Sequence, residues 1–285
     1  METILPLIPF VSIPLFLTAS LIPLIKRLSW ALDMVDRPTT APHKSHTSPI
    51  PYGGAIAITL GTSLSLFMLF PDINTVLAHF TDNQSAWRMS LFWLIEQYNH
   101  QTSLISPLLS CAMVMVIIGV IDDCRNLSPL FRILTQFTSS TLLVFTQQEF
   151  CMSIFEHIII NQVISVLWIV TITNAFNFID NMDGLSGGIG AIILLLLGFI
   201  ALLIGQTGLS ILCFSLFGSL CGFLLFNLPP ASIYMGDAGG LALGFIVSAV
   251  AINLSQVIYT SFLDPVLQFA PLMVLLLPLY DILSI

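Results

Sequence analysis

Apolar residues run along this chain in long, nearly unbroken stretches. They neither alternate with polar residues, as a half-buried strand would, nor recur on one stripe of a surface helix. Nine stretches, about 3–25, 52–70, 105–121, 129–147, 157–177, 186–205, 209–227, 239–260 and 266–283, approach or reach the roughly 20 apolar residues that a bilayer-crossing helix needs. The pattern predicts an all-α chain, a polytopic transmembrane bundle of about nine spans forming one membrane domain over 1–285. Residues 71–104 are more polar, and the amphipathic stretch from Trp87 to Tyr98 suits a helix lying on the membrane surface.

Composition supports the pattern. The chain is 56% hydrophobic and 8% charged, with a mean hydropathy of +0.99, whereas a soluble domain carries about 25% charged residues. A water-facing surface cannot be made from this composition. The net charge of -8 therefore says little about soluble partners, and no nucleic-acid partner is expected. The five cysteines, Cys111, Cys124, Cys151, Cys213 and Cys221, lie mostly in apolar stretches without metal-ligand spacing and read as small core residues. The first stretch has span length and no basic leader, so it reads as a retained helix.

The basic residues orient the bundle. With nine crossings, Lys26, Arg27, Arg37, Lys44, Arg125 and Arg132 fall on one side and Arg88 alone on the other. The positive-inside rule makes the first side cytoplasmic, with the N-terminus outside and Ile285 inside. The loops 26–51, 122–128, 178–185 and 228–238 then share the cytoplasmic face.

Those loops and their edges hold the acids that ask for an explanation. Asp122 and Asp123 lie in GVIDDCRNLSP, Asp180 and Asp183 in NAFNFIDNMDGLSGG, and Asp237 in IYMGDAGG. Charges at membrane borders commonly serve ion, proton or substrate chemistry, and acids without nearby bases point to a divalent cation. Adjacent aspartates on a helix point about 100° apart, so Asp122 and Asp123 can face different partners; the bland alternative is a cap for a helix starting near Ser128. Asn174, Asn177, Asp180 and Asp183 recur every three residues and present a graded polar surface at a helix end, against the alternative of simple capping. Asp237 on a glycine turn at a helix N-terminus suits a magnesium ion bound to phosphate, against an N-cap role. Lys44 and His46 sit in PHKSHTSPIPYGG, where a lysine can hold a phosphate as a point charge or simply contribute positive-inside charge. Arg132, one turn into the fourth span, either binds an anion or snorkels. His79, His100 and His157 lie on the opposite side, where no motif-like pattern recurs.

In this order, DRPTTAPHKSHTSPIPYGG, IDDCRNLSPLFR, NAFNFIDNMDGLSGG and FNLPPASIYMGDAGG resemble the polyprenyl-phosphate N-acetylhexosamine-1-phosphate transferases, of glycosyltransferase family 4. The resemblance implies a reaction at the cytoplasmic face of the bacterial inner membrane. A UDP-sugar gives its sugar-1-phosphate, here GlcNAc-1-phosphate, to a membrane polyprenyl phosphate, leaving polyprenyl-diphosphate sugar and UMP. This is an initiating step of cell-envelope glycan synthesis and requires Mg²⁺. Carried over by position, Asn177 and Asp237 bind magnesium, Asp122 deprotonates or orients the lipid phosphate, and Asp123 supports the metal site. Asp183 contacts the uracil end, Lys44 and Arg132 neutralise phosphates, and His46, Asn174 and Asp180 complete the substrate surface. A homodimer is left open.

Two departures stand out. The family often has lysine where this chain has Arg132, and its first loop often carries Arg-Lys before the histidine, where His43-Lys44-Ser45-His46 stands here. The resemblance also implies a His-rich cytoplasmic loop and further helices past the ninth span, beyond Ile285. PIPYGG is closer to the GlcNAc branch than to the MurNAc-pentapeptide branch, which usually reads PTMGG. The alternatives are a membrane transporter, which would place its acids near the midplane and often show a repeat, and an inactive truncated homologue.

Overall fold

The computed structural model describes residues 5–38, 48–69, 101–262 and 265–284. It is built from helices: α1 (Ile8–Ala31), α2 (Gly54–Leu69), α3 (Thr102–Arg125), α4 (Pro129–Thr146), α5 (Ile158–Ile179), α6 (Leu185–Leu203), α7 (Thr207–Asn227), α8 (Asp237–Phe262), and the short α9 (Ala270–Met273) and α10 (Leu276–Ser284). A two-stranded antiparallel ribbon, β1 (Val35–Asp36) with β2 (Ile50–Pro51), pairs Val35 with Pro51 and Asp36 with Ile50.

Helix boundaries follow local chemistry. Asn126, at φ +48°, ends α3, and the Ser128 side chain then caps α4 by accepting from the Phe131 N–H at 3.3 Å, with Pro129 at the first helical position. Ser128 thus supplies the cap that the sequence offered as a bland role for the paired aspartates. Asp122 and Asp123 lie in the last turn of α3, because the helix runs four residues beyond the apolar stretch that predicted it.

Six helices are long and apolar enough to cross a membrane: α1, α3, α5, α6, α7 and α8. The pieces Leu267–Met273 and Leu276–Ser284 bend by 60° at their break and make a seventh if counted as one span. About nine spans are therefore not confirmed. The apolar part of α2, Gly54–Phe67, is shorter, and α4 interrupts its apolar residues with Arg132, Gln136 and a Thr-Ser-Ser-Thr run. The chain is a multi-pass membrane protein. The surface helix expected near Trp87–Tyr98 lies outside the described residues.

Helix α8 is the centre. It is buried along nearly its whole length and packs on α3, α5 and α6. Small residues permit the approach: a Cβ on Gly119 would sit 2.2 Å from the Ala238 Cα, and one on Gly244 2.7 Å from the Thr173 Cα. Close backbone contact of this kind drives helix association in lipid, where burial of apolar surface gives little. The outward faces stay apolar, with Phe16, Phe67, Ile117, Ile159 and Leu203 exposed, as lipid contact requires.

The ribbon that follows α1, the start of α2, the end of α3, the start of α4, the end of α5, the start of α6, the end of α7 and the start of α8 meet at one end of the bundle, through the contacts given below. The described parts of the four motif segments that the sequence placed on one face thus share one end.

Candidate active site

Asp237 sits at the middle of this end. Gly236 turns the chain with φ +79°, and α8 starts at the next residue. The Asp237 N–H donates to Asp123 Oδ1 at 2.9 Å, so the Asp123 carboxylate caps α8 where its dipole favours negative charge. The Asp237 carboxylate lies beside the Asp122 carboxyl and has two donors. Its Oδ1 accepts from Asn177 Nδ2 at 2.7 Å, and its Oδ2 from Arg132 Nη1 at 3.3 Å.

Arg132 spans two acids. The same Nη1 donates to Asp122 Oδ2 at 2.8 Å, and Asp122 Oδ1 accepts the Leu127 N–H at 2.6 Å. Asp122 is buried and Arg132 about a quarter exposed. Two adjacent aspartates therefore do face different partners, as their helical spacing required: Asp122 the guanidinium, Asp123 the helix start.

The amides and acids at three-residue spacing divide in the same way. Asn177 reaches Asp237. Asn174, one turn deeper, bonds Gln136 on α4 and the Val170 carbonyl at 2.8 Å. Asp180, just past α5, accepts from the Ser186 hydroxyl, and burial pushes its carboxyl up to about 6. Asp183 accepts the Ala231 N–H at 2.9 Å and hydrogen-bonds the Tyr234 phenol. Lys44 and His46 lie outside the described residues. The ribbon strands that flank them end beside the site: the Tyr234 N–H donates to the Pro51 carbonyl at 2.9 Å, and the Gly54 N–H to the Tyr234 carbonyl at 2.9 Å.

Several residues of this end escaped the sequence reading. Tyr52 and Tyr234 stand with ring centroids 6.3 Å apart. The Tyr52 phenol bonds Asp36 and is held above its usual range by burial and that acid; burial and Asp183 push Tyr234 up to about 12. Asn227 ties two loops together, accepting the Gly184 N–H at 3.0 Å and donating to the Ile233 carbonyl at 2.9 Å. Its signal was an amide at a helix end just before Pro229 and Pro230, a place that needs a backbone partner. Gln136 had no such signal beyond being polar inside an apolar helix. Of the cysteines, Cys111, Cys151 and Cys213 are buried as expected, whereas Cys124 is exposed beside Asp123.

The arrangement brings Asp122 and Asp237 onto one arginine and Asp123 onto the helix start beneath Asp237, with Asp180 and Asp183 held on the loops at the same end of a lipid-facing bundle. Such a place suits a ligand that carries negative charge together with a cation that neutralises it.

Comparison with known sequences agrees with this. The sequence model for glycosyl transferase family 4 matches residues 105–255, more than half of the chain and all of the site from Asp122 to Asp237. A Bacillus subtilis (strain 168) protein named "probable undecaprenyl-phosphate N-acetylglucosaminyl 1-phosphate transferase" is 28% identical over 237 residues, covering 81% of this chain and 58% of the relative. Phospho-N-acetylmuramoyl-pentapeptide-transferases of Levilactobacillus brevis and Listeria innocua are 46% identical over 89 residues and 38% over 122, which are 31% and 43% of this chain and 28% and 36% of theirs. The chain therefore spans a little over half of the first relative's length and about a third of the other two. With its four motifs in order and its acids joined at one end of a membrane bundle, the chain belongs to glycosyl transferase family 4.

Proposed function

We propose that the chain transfers a sugar-1-phosphate, GlcNAc-1-phosphate by the likeness of PIPYGG, from a UDP-sugar to a membrane polyprenyl phosphate. The supporting observation is the contact of Asn177 and Arg132 with one carboxylate, Asp237, at an end of the bundle where both a lipid phosphate and a soluble nucleotide can arrive. The lipid phosphate oxygen attacks the β-phosphorus of the UDP-sugar, the bond from that phosphorus to the bridging oxygen breaks, and UMP leaves. Both substrates are anions, so the chemistry depends on neutralising and placing charge more than on a protein nucleophile.

Asn177 and Asp237 fit a magnesium ion. Asn177 Nδ2 now donates to Asp237 Oδ1 at 2.7 Å, and turning that amide over would set its oxygen beside the carboxylate, giving the two hard oxygen donors that Mg²⁺ prefers. Among the described residues no three His, Cys, Asp or Glu side chains converge as a protein cage, and Mg²⁺ commonly takes one or two protein ligands and fills its shell with phosphate oxygens and water. Bound there, it would supply charge neutralisation at the departing phosphate. Asp122 takes the acceptor side, where Arg132 fixes its Oδ2. Asp123 holds the start of α8 and so the place of Asp237. Asp183, beside Tyr234, takes the nucleotide side, and Lys44 and His46 bring further phosphate contacts.

In nanodiscs, the full chain with UDP-GlcNAc, polyprenyl phosphate and Mg²⁺ should release UMP. EDTA and Asp237→Ala should each stop release while the variant stays monodisperse. Normal turnover by Asp237→Ala would remove the metal assignment. The face is tested separately: single cysteines at Ser48, Ser128 and Ser232 should be labelled only from the cytoplasm, and labelling from opposite sides would overturn the shared site.

A further inference from the structure

One turn below the acids, α4 and α5 share a polar contact that the proposed chemistry does not use. Asn174 Nδ2 donates to Gln136 Oε1 at 2.5 Å, and Gln136 Nε2 donates back to Asn174 Oδ1 at 3.4 Å. Gln136 is 1% exposed. Among the described residues this is the one side-chain hydrogen-bonded pair between the two helices. Gln136 lies four residues past Arg132 on α4, and Asn174 three residues before Asn177 on α5, so each sits one turn below a residue that holds Asp237.

Arg132 ties the start of α4 to Asp122 and Asp237, and Ser139, Ser140, Leu143 and Val144 bury its inner face, but the only side-chain hydrogen bonds from α4 to α5 among the described residues are those of the amide pair. Most of the α4 surface is apolar and faces outward: Leu130, Ile133, Leu134, Phe137, Leu142 and Phe145 are exposed. In lipid, sliding an apolar helix face carries no hydrophobic penalty, so small residues and polar pairs set the register. An amide pair in this setting favours one arrangement, because a slip of one residue leaves the buried Gln136 amide without a partner and Asn174 with only the Val170 carbonyl.

We propose that Gln136 and Asn174 form a register clamp, and that Gln136 is a positioning residue that places Arg132 against Asn177 over Asp237. The clamp acts through those residues: with its amide taken up by Gln136 and the Val170 carbonyl, Asn174 positions them and does not join the substrate surface that the resemblance implied for it. The catalytic part of this inference rests on the proposed transferase reading; the register part does not.

The test uses the full chain, free of native cysteines, in nanodiscs. Gln136→Met and Asn174→Leu keep side-chain length or bulk and remove the pair. Each should lower the kcat of UMP release by roughly ten- to a hundred-fold, the scale of a misplaced catalytic group, with the KM for UDP-sugar little changed. Combining them should cost no more than one alone, and the swap Gln136→Asn with Asn174→Gln should recover most of the rate. A role in packing alone would lower thermal stability and leave kcat unchanged well below the melting temperature; that result overturns the proposal. Spin labels at Leu130→Cys and Phe178→Cys, both at exposed positions near the site, read the register directly. Gln136→Met should shift or broaden their distance distribution, and an unchanged distribution refutes the clamp. If the unsubstituted chain releases no UMP, the reaction reading fails and the label distances alone decide the register claim.

Discussion

The Asp123 carboxylate caps the helix that begins at Asp237, through a 2.9 Å bond from the Asp237 N–H across 114 residues of sequence. One motif acid therefore holds the backbone that presents another. Asparagine at position 123 keeps an oxygen that can accept this bond, and alanine does not. Asp123→Ala should destabilise the fold by about 0.5–2 kcal/mol, the range for a lost cap, and Asp123→Asn by much less, in thermal unfolding followed in detergent. Turnover should follow the same order. Equal loss of turnover in both variants would show that the charge, and not the cap, is what matters.

Asp122 and Arg132 form the second relationship, at 2.8 Å. Asp122→Asn should lower turnover far more than UDP-sugar affinity measured by calorimetry, since the acid is assigned to the acceptor side. If affinity falls as far as rate, Asp122 belongs to the donor side. Arg132→Lys keeps the charge and loses the planar fork, so it should lose part of the turnover and keep most of the nucleotide affinity. Arg132→Gln should lose more.

The turn before Asp237 tolerates one residue type. Gly236 has φ +79°, and a Cβ there would lie 2.5 Å from Asp123 Oδ2. Gly236→Ala combines about 1–2 kcal/mol of left-handed strain with displacement of the capping carboxylate. It should lower the melting temperature and abolish UMP release together. A variant of normal stability and rate would show that Asp123 moves aside freely.

Asp180 gives a pH dependence. Burial holds its carboxyl up near 6 in the folded chain, against about 3.9 when unfolded. A raised folded value means that the protonated form is favoured. The stability it contributes is present below about pH 4 and is lost as pH rises through about 6. The melting temperature of the natural chain relative to Asp180→Asn should fall between pH 4.5 and pH 7. Ser186→Ala removes the hydrogen bond that pulls Asp180 down, and should move the midpoint of that fall to higher pH.

Much of this was legible in the sequence because membrane helices announce themselves by composition. Among the described residues each predicted apolar stretch falls mainly on helix, and Asp122, Asn177, Asp183 and Asp237 lie at helix ends that meet at one end of the bundle. Span counting was less secure: α4 is helical throughout, but Arg132, Gln136 and its hydroxyl residues dilute its hydropathy, and the segment after Pro265 bends at a break that no periodicity marks. Pairings were not legible. The bonds from Asp123 to Asp237, Gln136 to Asn174 and Asn227 to Gly184 join residues separated by at least 38 positions. Local pattern identifies such residues as polar but cannot say which of them meet. Tyr52 and Tyr234 carry no distinguishing signal, since a tyrosine at a membrane border is an ordinary interface anchor.

The central claim is that phosphate travels with the sugar. UDP-GlcNAc labelled with ³²P at the β-phosphate, given to the full chain with polyprenyl phosphate and Mg²⁺, decides it by organic extraction. Label should move into the lipid phase in equal amount to the UMP released, and Asp237→Ala should show neither. Label retained in water-soluble UDP, with sugar alone in the lipid, would contradict the account.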